Sequence, residues 1–110
     1  RWFTKSFIQN NPKVIQKIED MIRTTSVVGY RGTSNALINF DLTSQLNKIK
    51  SSVLVIAGEY DQATAISMSE KIVSLLPNAK LLVIKNAAHI SSAEQWELFN
   101  KEVIHFLLEN

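Results

Sequence analysis

The chain has 110 residues, of which 45% are hydrophobic and 20% are charged, a balance that is ordinary for one globular domain with a buried core. Its net charge of +2 comes from basic and acidic residues interleaved along the chain, which argues against nucleic-acid binding, and no apolar run is long enough for a membrane span. The absence of cysteine excludes disulfides, a thiol nucleophile and thiolate metal sites, and is compatible with the cytoplasmic location that we expect.

Three helices are predicted in the first part of the chain. Asn11 and Pro12 form a typical helix start, because Asn can cap the free amide groups and Pro has no amide to leave unpaired. Apolar residues then recur at helical spacing up to about Arg23. A weaker pattern predicts a second helix within residues 26–40, and Asp41 is predicted to cap a third, short one.

The polar segment Lys50-Ser51-Ser52 marks a change in the pattern. We take it as the boundary between a helical segment, residues 1–50, and an α/β unit, residues 51–110. The run Val53 to Ala57 is continuously apolar and β-branched, as in a parallel strand covered on both faces, and Leu81 to Ile84 is a second such strand. The fold class is therefore α/β.

Two helices are predicted beside these strands. Between them, Ser67 and Glu70 have the spacing of a capping box. After the second strand, Ser91 with Glu94, and Ser92 with Gln95, form overlapping capping boxes at the start of a final helix. Two parallel strands are too few for a sheet of this type, so we expect either more chain elsewhere or association with copies of itself.

One acid and one histidine follow the two predicted strands. Asp61 lies four positions after Ala57, and His89 lies five positions after Ile84. Taken alone, each residue also has a non-catalytic explanation: Asp61 could simply stabilise a turn, and His89 could be a loop histidine without a function. The carboxyl ends of neighbouring parallel strands meet at one edge of the sheet, so the pair is expected to lie together, as in a hydrolase triad.

Several segments resemble the α/β-hydrolase family. Leu54 to Asp61 is similar to the acid-bearing strand and turn of that family, and Ala88 to Gln95 to its histidine loop. Arg1 to Thr4 and Gly29 to Gly32 are similar to cap segments of its 3-oxoadipate enol-lactonase branch. The family usually has Gly at the position of Ala88, and often Pro at those of Ala65 and Trp96. The resemblance extends over essentially the whole chain.

The resemblance implies roles for particular residues. Asp61 would be the triad acid, His89 the general base, and residues 1–50 a cap in which Trp2 could line the substrate pocket, although packing also explains such aromatic residues. The substrate would be a small carboxylic ester or lactone, 3-oxoadipate enol-lactone being favoured, and no cofactor or metal is implied. The partner would be a missing N-terminal half of the hydrolase domain.

The nucleophile elbow of that family, G-x-S-x-G, is absent from the sequence. Its nearest match, Gly32 to Ala36, places Ser34 inside a predicted cap helix rather than at the end of a strand, so we reject it. The 110 residues alone are therefore expected to be nearly inactive. The alternative function is a non-catalytic α/β module that associates with itself.

Overall fold

The computed structural model describes residues 2–109 and contains the predicted α/β unit after a helical segment. The helical segment comprises α1 (Lys5–Asn10), α2 (Pro12–Thr24), α3 (Val27–Leu37) and a 3-10 helix (Thr43–Lys48). The unit that follows comprises β1 (Val53–Gly58), α4 (Ile66–Leu75), β2 (Ala79–Ile84), α5 (Ser91–Glu94) and α6 (Trp96–Glu109). The α/β class and the parallel strands predicted from sequence are confirmed.

Strands β1 and β2 form a two-stranded parallel sheet in which Val53 pairs with Ala79 and Gly58 with Ile84. Helix α4 connects the strands and packs on both. The most deeply buried hydrophobic side chains lie at or just beyond the carboxyl ends of the strands. They are those of Ala57, Ile84, Ala87 and Ala88. The core is therefore tightest beside the loops that carry Asp61 and His89.

Large apolar side chains remain exposed along much of the chain. Val28 is 82% exposed and Leu108 is 83% exposed, and β1 is only half-buried from Val53 to Ile56, although its sequence predicts a strand covered on both faces. The radius of gyration is 16.0 Å, whereas a compact domain of this length has about 13 Å. The described residues therefore do not cover all of their own apolar surface.

The predicted helix caps are partly wrong. Asn11 does not cap α2 with its side chain, which is turned toward α1, where Nδ2 donates to the carbonyl of Phe7. Helix α4 begins at Ile66, two residues too early for Ser67 to cap it, and Ala65 stands at the cap position instead. Asp41 does accept a hydrogen bond from the amide of Thr43, 2.8 Å away, at the start of the 3-10 helix.

The final predicted helix is divided into two. Ile90, rather than Ser91 or Ser92, precedes α5 without a side-chain cap, and the chain breaks from helical geometry at Gln95 before α6 begins. The capping-box prediction fails because the carboxylate of Glu94 binds groups outside the helix. Glu94 consequently joins distant parts of the chain.

Candidate active site

The loops after the two strands are hydrogen-bonded to one another at the carboxyl edge of the sheet. The amide of Glu59 donates to the carbonyl of Ile84 at 2.9 Å, and the amide of Tyr60 donates to that of Ala87 at 2.8 Å. The side chains that follow then meet, with Asp61 Oδ2 2.8 Å from His89 Nδ1. The structure therefore brings together the acid and the imidazole that the strand ends place at one edge.

Glycine is required at position 58 because the two loops approach so closely there. A Cβ atom on Gly58 would lie 2.0 Å from the carbonyl oxygen of Ala88 and 2.7 Å from that of Ala87. Both contacts are to backbone, which cannot turn aside as a side chain can. The absence of a side chain at Gly58 thus allows the histidine loop to reach the acid loop.

Two glutamates hold the histidine loop. Glu59 Oε2 accepts a hydrogen bond from the amide of Asn86 at 2.9 Å, where the backbone turns through the left-handed region with φ of 56°. Glu94 Oε2 accepts one from the amide of Ala88, and Glu94 Oε1 accepts two from the amide and hydroxyl of Thr4, both at 2.7 Å. The loop is therefore anchored at two points just before His89, and the second anchor also binds Thr4 near the start of the chain.

The carboxylate of Asp61 is surrounded by donors. Oδ1 accepts hydrogen bonds from the amides of Ala63 at 2.7 Å and Thr64 at 3.0 Å, while Oδ2 accepts one from the hydroxyl of Thr64 at 2.7 Å. Desolvation of the side chain, which is 5% exposed, opposes ionisation and would raise the pKa of Asp61. The hydrogen bonds from Thr64, His89 and Ala63 outweigh it and hold that pKa well below its ordinary value.

The charge on Asp61 determines the tautomer of His89. An ionised carboxylate can only accept, so Nδ1 of His89 must carry the proton that is shared with Asp61. In the neutral imidazole this leaves the lone pair on Nε2. The side chain of His89 is 39% exposed, so a basic nitrogen is presented on an accessible ring that a carboxylate holds in orientation.

The backbone at Trp2 lies beside the histidine loop. Its carbonyl accepts a hydrogen bond from the amide of Ile90 at 3.0 Å, and its side chain, 45% exposed, borders a cavity of about 360 Å³ between α1 and α2. Phe3 and Phe7 instead stack on each other, with ring centroids 5.3 Å apart. Arg1, part of the cap resemblance, lies outside the described residues. A substrate-binding role for Trp2 remains a prediction.

Within the described chain, no serine hydroxyl is hydrogen-bonded to His89. Ser34 lies inside α3, away from any strand end, as expected from the sequence. The hydroxyl that approaches the ring of His89 belongs to Thr64, 3.5 Å from Nδ1, and it donates to Asp61 on the side opposite to Nε2. Sequence reasoning missed Thr64, although its position three residues after an aspartate in a turn is a recognisable signal for a local hydrogen bond.

Residues 2–109 contain no group of three or more acidic, histidine or cysteine side chains with the geometry of a metal site. Nε2 of His105 lies 3.2 Å from a carboxylate oxygen of Glu109 at an exposed position on α6. No helix in this part of the chain has both the length and the apolar character needed to cross a membrane.

A parallel sheet with an aspartate–histidine pair beyond its strand ends is the arrangement that hydrolases of the α/β class have. The family model for the alpha/beta hydrolase fold matches residues 3–95. The chain therefore belongs to the alpha/beta hydrolase fold family.

Three known proteins are similar to nearly the whole of this chain. The chain is 35% identical to 3-oxoadipate enol-lactonase 2 of Acinetobacter baylyi over 94% of its own length, but it spans only 38% of that relative. It is similar to the crystal structure of the enol-lactonase from Burkholderia xenovorans LB400, with a TM-score of 0.94 and 30% identity over 98% of this chain and 41% of that one. A thermophilic esterase from Thermogutta terrifontis matches with a TM-score of 0.90 and 25% identity, over 99% of this chain and 40% of the esterase.

Proposed function

We propose that this chain supplies the acid and the general base of a serine hydrolase that acts on small carboxylic esters or lactones. The observation that carries the proposal is the 2.8 Å contact between Asp61 and His89 at the carboxyl edge of the sheet. The similarity to two enol-lactonases favours 3-oxoadipate enol-lactone as the substrate. The cytoplasm remains our prediction for the location, and the absence of cysteine is compatible with it.

In the proposed reaction, a serine hydroxyl attacks the carbonyl carbon of the substrate and His89 Nε2 takes the hydroxyl proton. Asp61 stabilises the imidazolium that forms. His89 then gives the proton to the departing ester or lactone oxygen as its bond to the carbonyl carbon breaks, leaving an acyl group on the serine. Water, activated by the same imidazole, releases the acid.

We infer that the serine comes from outside these 110 residues. The sequence has no G-x-S-x-G pattern, and Ser34 lies within α3. The chain spans about two fifths of its enol-lactonase relatives, which leaves room for a nucleophile-bearing partner segment. In this proposal residues 1–50 act as a cap, residues 51–110 are the C-terminal part of the catalytic domain, and the exposed apolar faces contact the missing N-terminal half.

A second candidate function is self-association without catalysis. It is favoured by the exposed apolar side chains, which include Val27, Val28, Ile38, Leu107 and Leu108. Burial of such surface between copies of the chain would be strongly favourable. Light scattering on the 110-residue chain tests this candidate, and a monomer that persists at high concentration would count against it.

The catalytic proposal is tested with a chimera in which this chain replaces the matching 38% of the Acinetobacter relative. We expect the chimera to hydrolyse 3-oxoadipate enol-lactone, and we expect His89→Gln to abolish that activity. His105→Gln is the matched control, because His105 lies on exposed α6 away from Asp61. A folded chimera without activity, or one as active with His89→Gln, would refute the assignment.

A further inference from the structure

The hydroxyl of Thr64 donates a hydrogen bond to the Asp61 carboxylate that the turn itself does not require. The amide of Thr64 and that of Ala63 both bond Oδ1, which is the usual way in which an aspartate closes a turn. Its hydroxyl makes an additional bond of 2.7 Å to Oδ2. Oδ2 is the oxygen that also contacts His89 Nδ1, so the threonine hydroxyl and the imidazole converge on a single atom.

We propose that Thr64 is a positioning residue whose hydroxyl holds the Asp61 carboxylate with Oδ2 facing His89 Nδ1. The inference rests on the proposed hydrolase function, and it adds to that function a residue which touches neither substrate nor the reacting nitrogen. Two amides hold one carboxylate oxygen, and the hydroxyl and imidazole hold the other. Rotation of the carboxylate would break these bonds, so the ring of His89 is oriented by an acceptor that is held in place.

The burial of Asp61 makes this hydroxyl difficult to replace. Thr64 is itself exposed, but the Asp61 side chain that it covers is only 5% exposed. In Thr64→Val a methyl group takes the place of the hydroxyl, so it removes the donor and still keeps water away from Oδ2. The amide bond from residue 64 to Oδ1 is retained, and the turn role of the residue is therefore separated from the role of its hydroxyl.

The charged groups near Asp61 also bear on its titration. His89 contacts Asp61 directly, whereas Glu59 on the same loop is engaged with the amide of Asn86. Glu94, behind the histidine loop, is engaged with Thr4 and Ala88. Both glutamates keep these partners in the Thr64 variants, so a change in the Asp61 titration reports the lost hydroxyl.

The first experiment compares Thr64→Val and Thr64→Ser in the 110-residue chain by NMR. We expect Thr64→Val to raise the titration midpoint of the Asp61 carboxyl carbon by about 1 pH unit, since one hydrogen bond to the carboxylate is lost. The downfield Nδ1 proton signal of His89 should broaden or disappear. Thr64→Ser should keep both properties, because serine restores the hydroxyl, and Thr33→Val on α3 is the matched control.

The second experiment places the same variants in the chimera. We expect Thr64→Val to lower kcat about tenfold with KM unchanged, and Thr64→Ser to stay within about twofold of the parent. The positioning role is wrong if Thr64→Val leaves both the Asp61 titration midpoint and kcat unchanged. It is also wrong if Thr64→Ser changes these two quantities as much as Thr64→Val does. An inactive parent chimera would refute the hydrolase proposal instead, while the NMR comparison would still decide the role of Thr64.

Discussion

The contact between the two loops can be broken by adding one methyl group at Gly58. In Gly58→Ala the new Cβ would lie 2.0 Å from the carbonyl oxygen of Ala88. In folded proteins, Cβ atoms essentially never come within 3.0 Å of such an atom. The histidine loop must therefore retreat by about 1 Å, because neither backbone has space to turn away. Ala88 directly precedes His89, so the imidazole moves with it.

The displacement is large compared with the contact that it disturbs. The distance from Asp61 Oδ2 to His89 Nδ1 is 2.8 Å, and about 1 Å more takes it beyond hydrogen-bond length. The hydrogen bond from Tyr60 to Ala87 is strained by the same movement. A histidine that loses its orienting acid in a triad loses up to about 10⁴-fold in kcat, so we expect a loss of at least about 100-fold.

The assay is enol-lactone hydrolysis by the chimera that carries Gly58→Ala, together with the Nδ1 proton signal of His89. Gly32→Ala is the matched control, because nothing lies within 4 Å of a Cβ at Gly32 in α3. That substitution should leave kcat unchanged and favour α3, since alanine is a better helix former than glycine by up to about 1 kcal/mol. Equal activity of the Gly58→Ala and Gly32→Ala proteins would show that the close approach of the loops does not position His89.

Three further predictions concern the groups around the acid–histidine pair. The lowered pKa of Asp61 means that its ionised form stabilises the folded chain at pH values above the unfolded pKa, and that this contribution is lost as the pH falls below about 4. Denaturant titrations at several pH values should therefore show a weaker acid dependence for Asp61→Asn, and an unchanged slope would contradict the assigned direction. Glu94→Gln should lower the free energy of unfolding by about 2 kcal/mol, because an amide cannot accept at both ends from the donors of Thr4 and Ala88. Gln95→Ala, which removes one contact of 3.4 Å, is its control, and equal effects would refute the role of Glu94. Asn86→Val should destabilise the chain by about 1–2 kcal/mol, whereas Asn86→Gly should be tolerated at the positive φ of 56°, as urea unfolding would show.

Local sequence patterns were sufficient for the parts of the fold that depend on neighbouring residues. The apolar run at Val53 predicted β1, and Asn11-Pro12 predicted the start of α2, because strand propensity and helix initiation are properties of short segments. The positions of Asp61 and His89 after two such strands also predicted their proximity. That inference needed only the rule that parallel strands share a carboxyl edge.

Capping was predicted less well, because a side chain that can cap its own helix can also bind elsewhere. Glu94 has the spacing of a capping box with Ser91, but its carboxylate bonds Thr4 and Ala88. Three donors, two of them backbone amides, satisfy the carboxylate better than one local amide does. Thr4 is ninety positions away in sequence, and no local pattern could reveal that the two residues meet.

The order of residue types along the chain was enough to determine the α/β class, the helical first segment, and the edge at which the acid and the histidine lie. Only the tertiary structure decided that Gly58 must lack a side chain, that Glu94 joins the first residues to the histidine loop, and that the hydroxyl of Thr64 reaches the same oxygen as His89. The physical reason is the separation along the chain over which each kind of interaction acts. Secondary structure follows from interactions within a few residues, whereas a carboxylate is satisfied by whichever donors the folded chain brings to it.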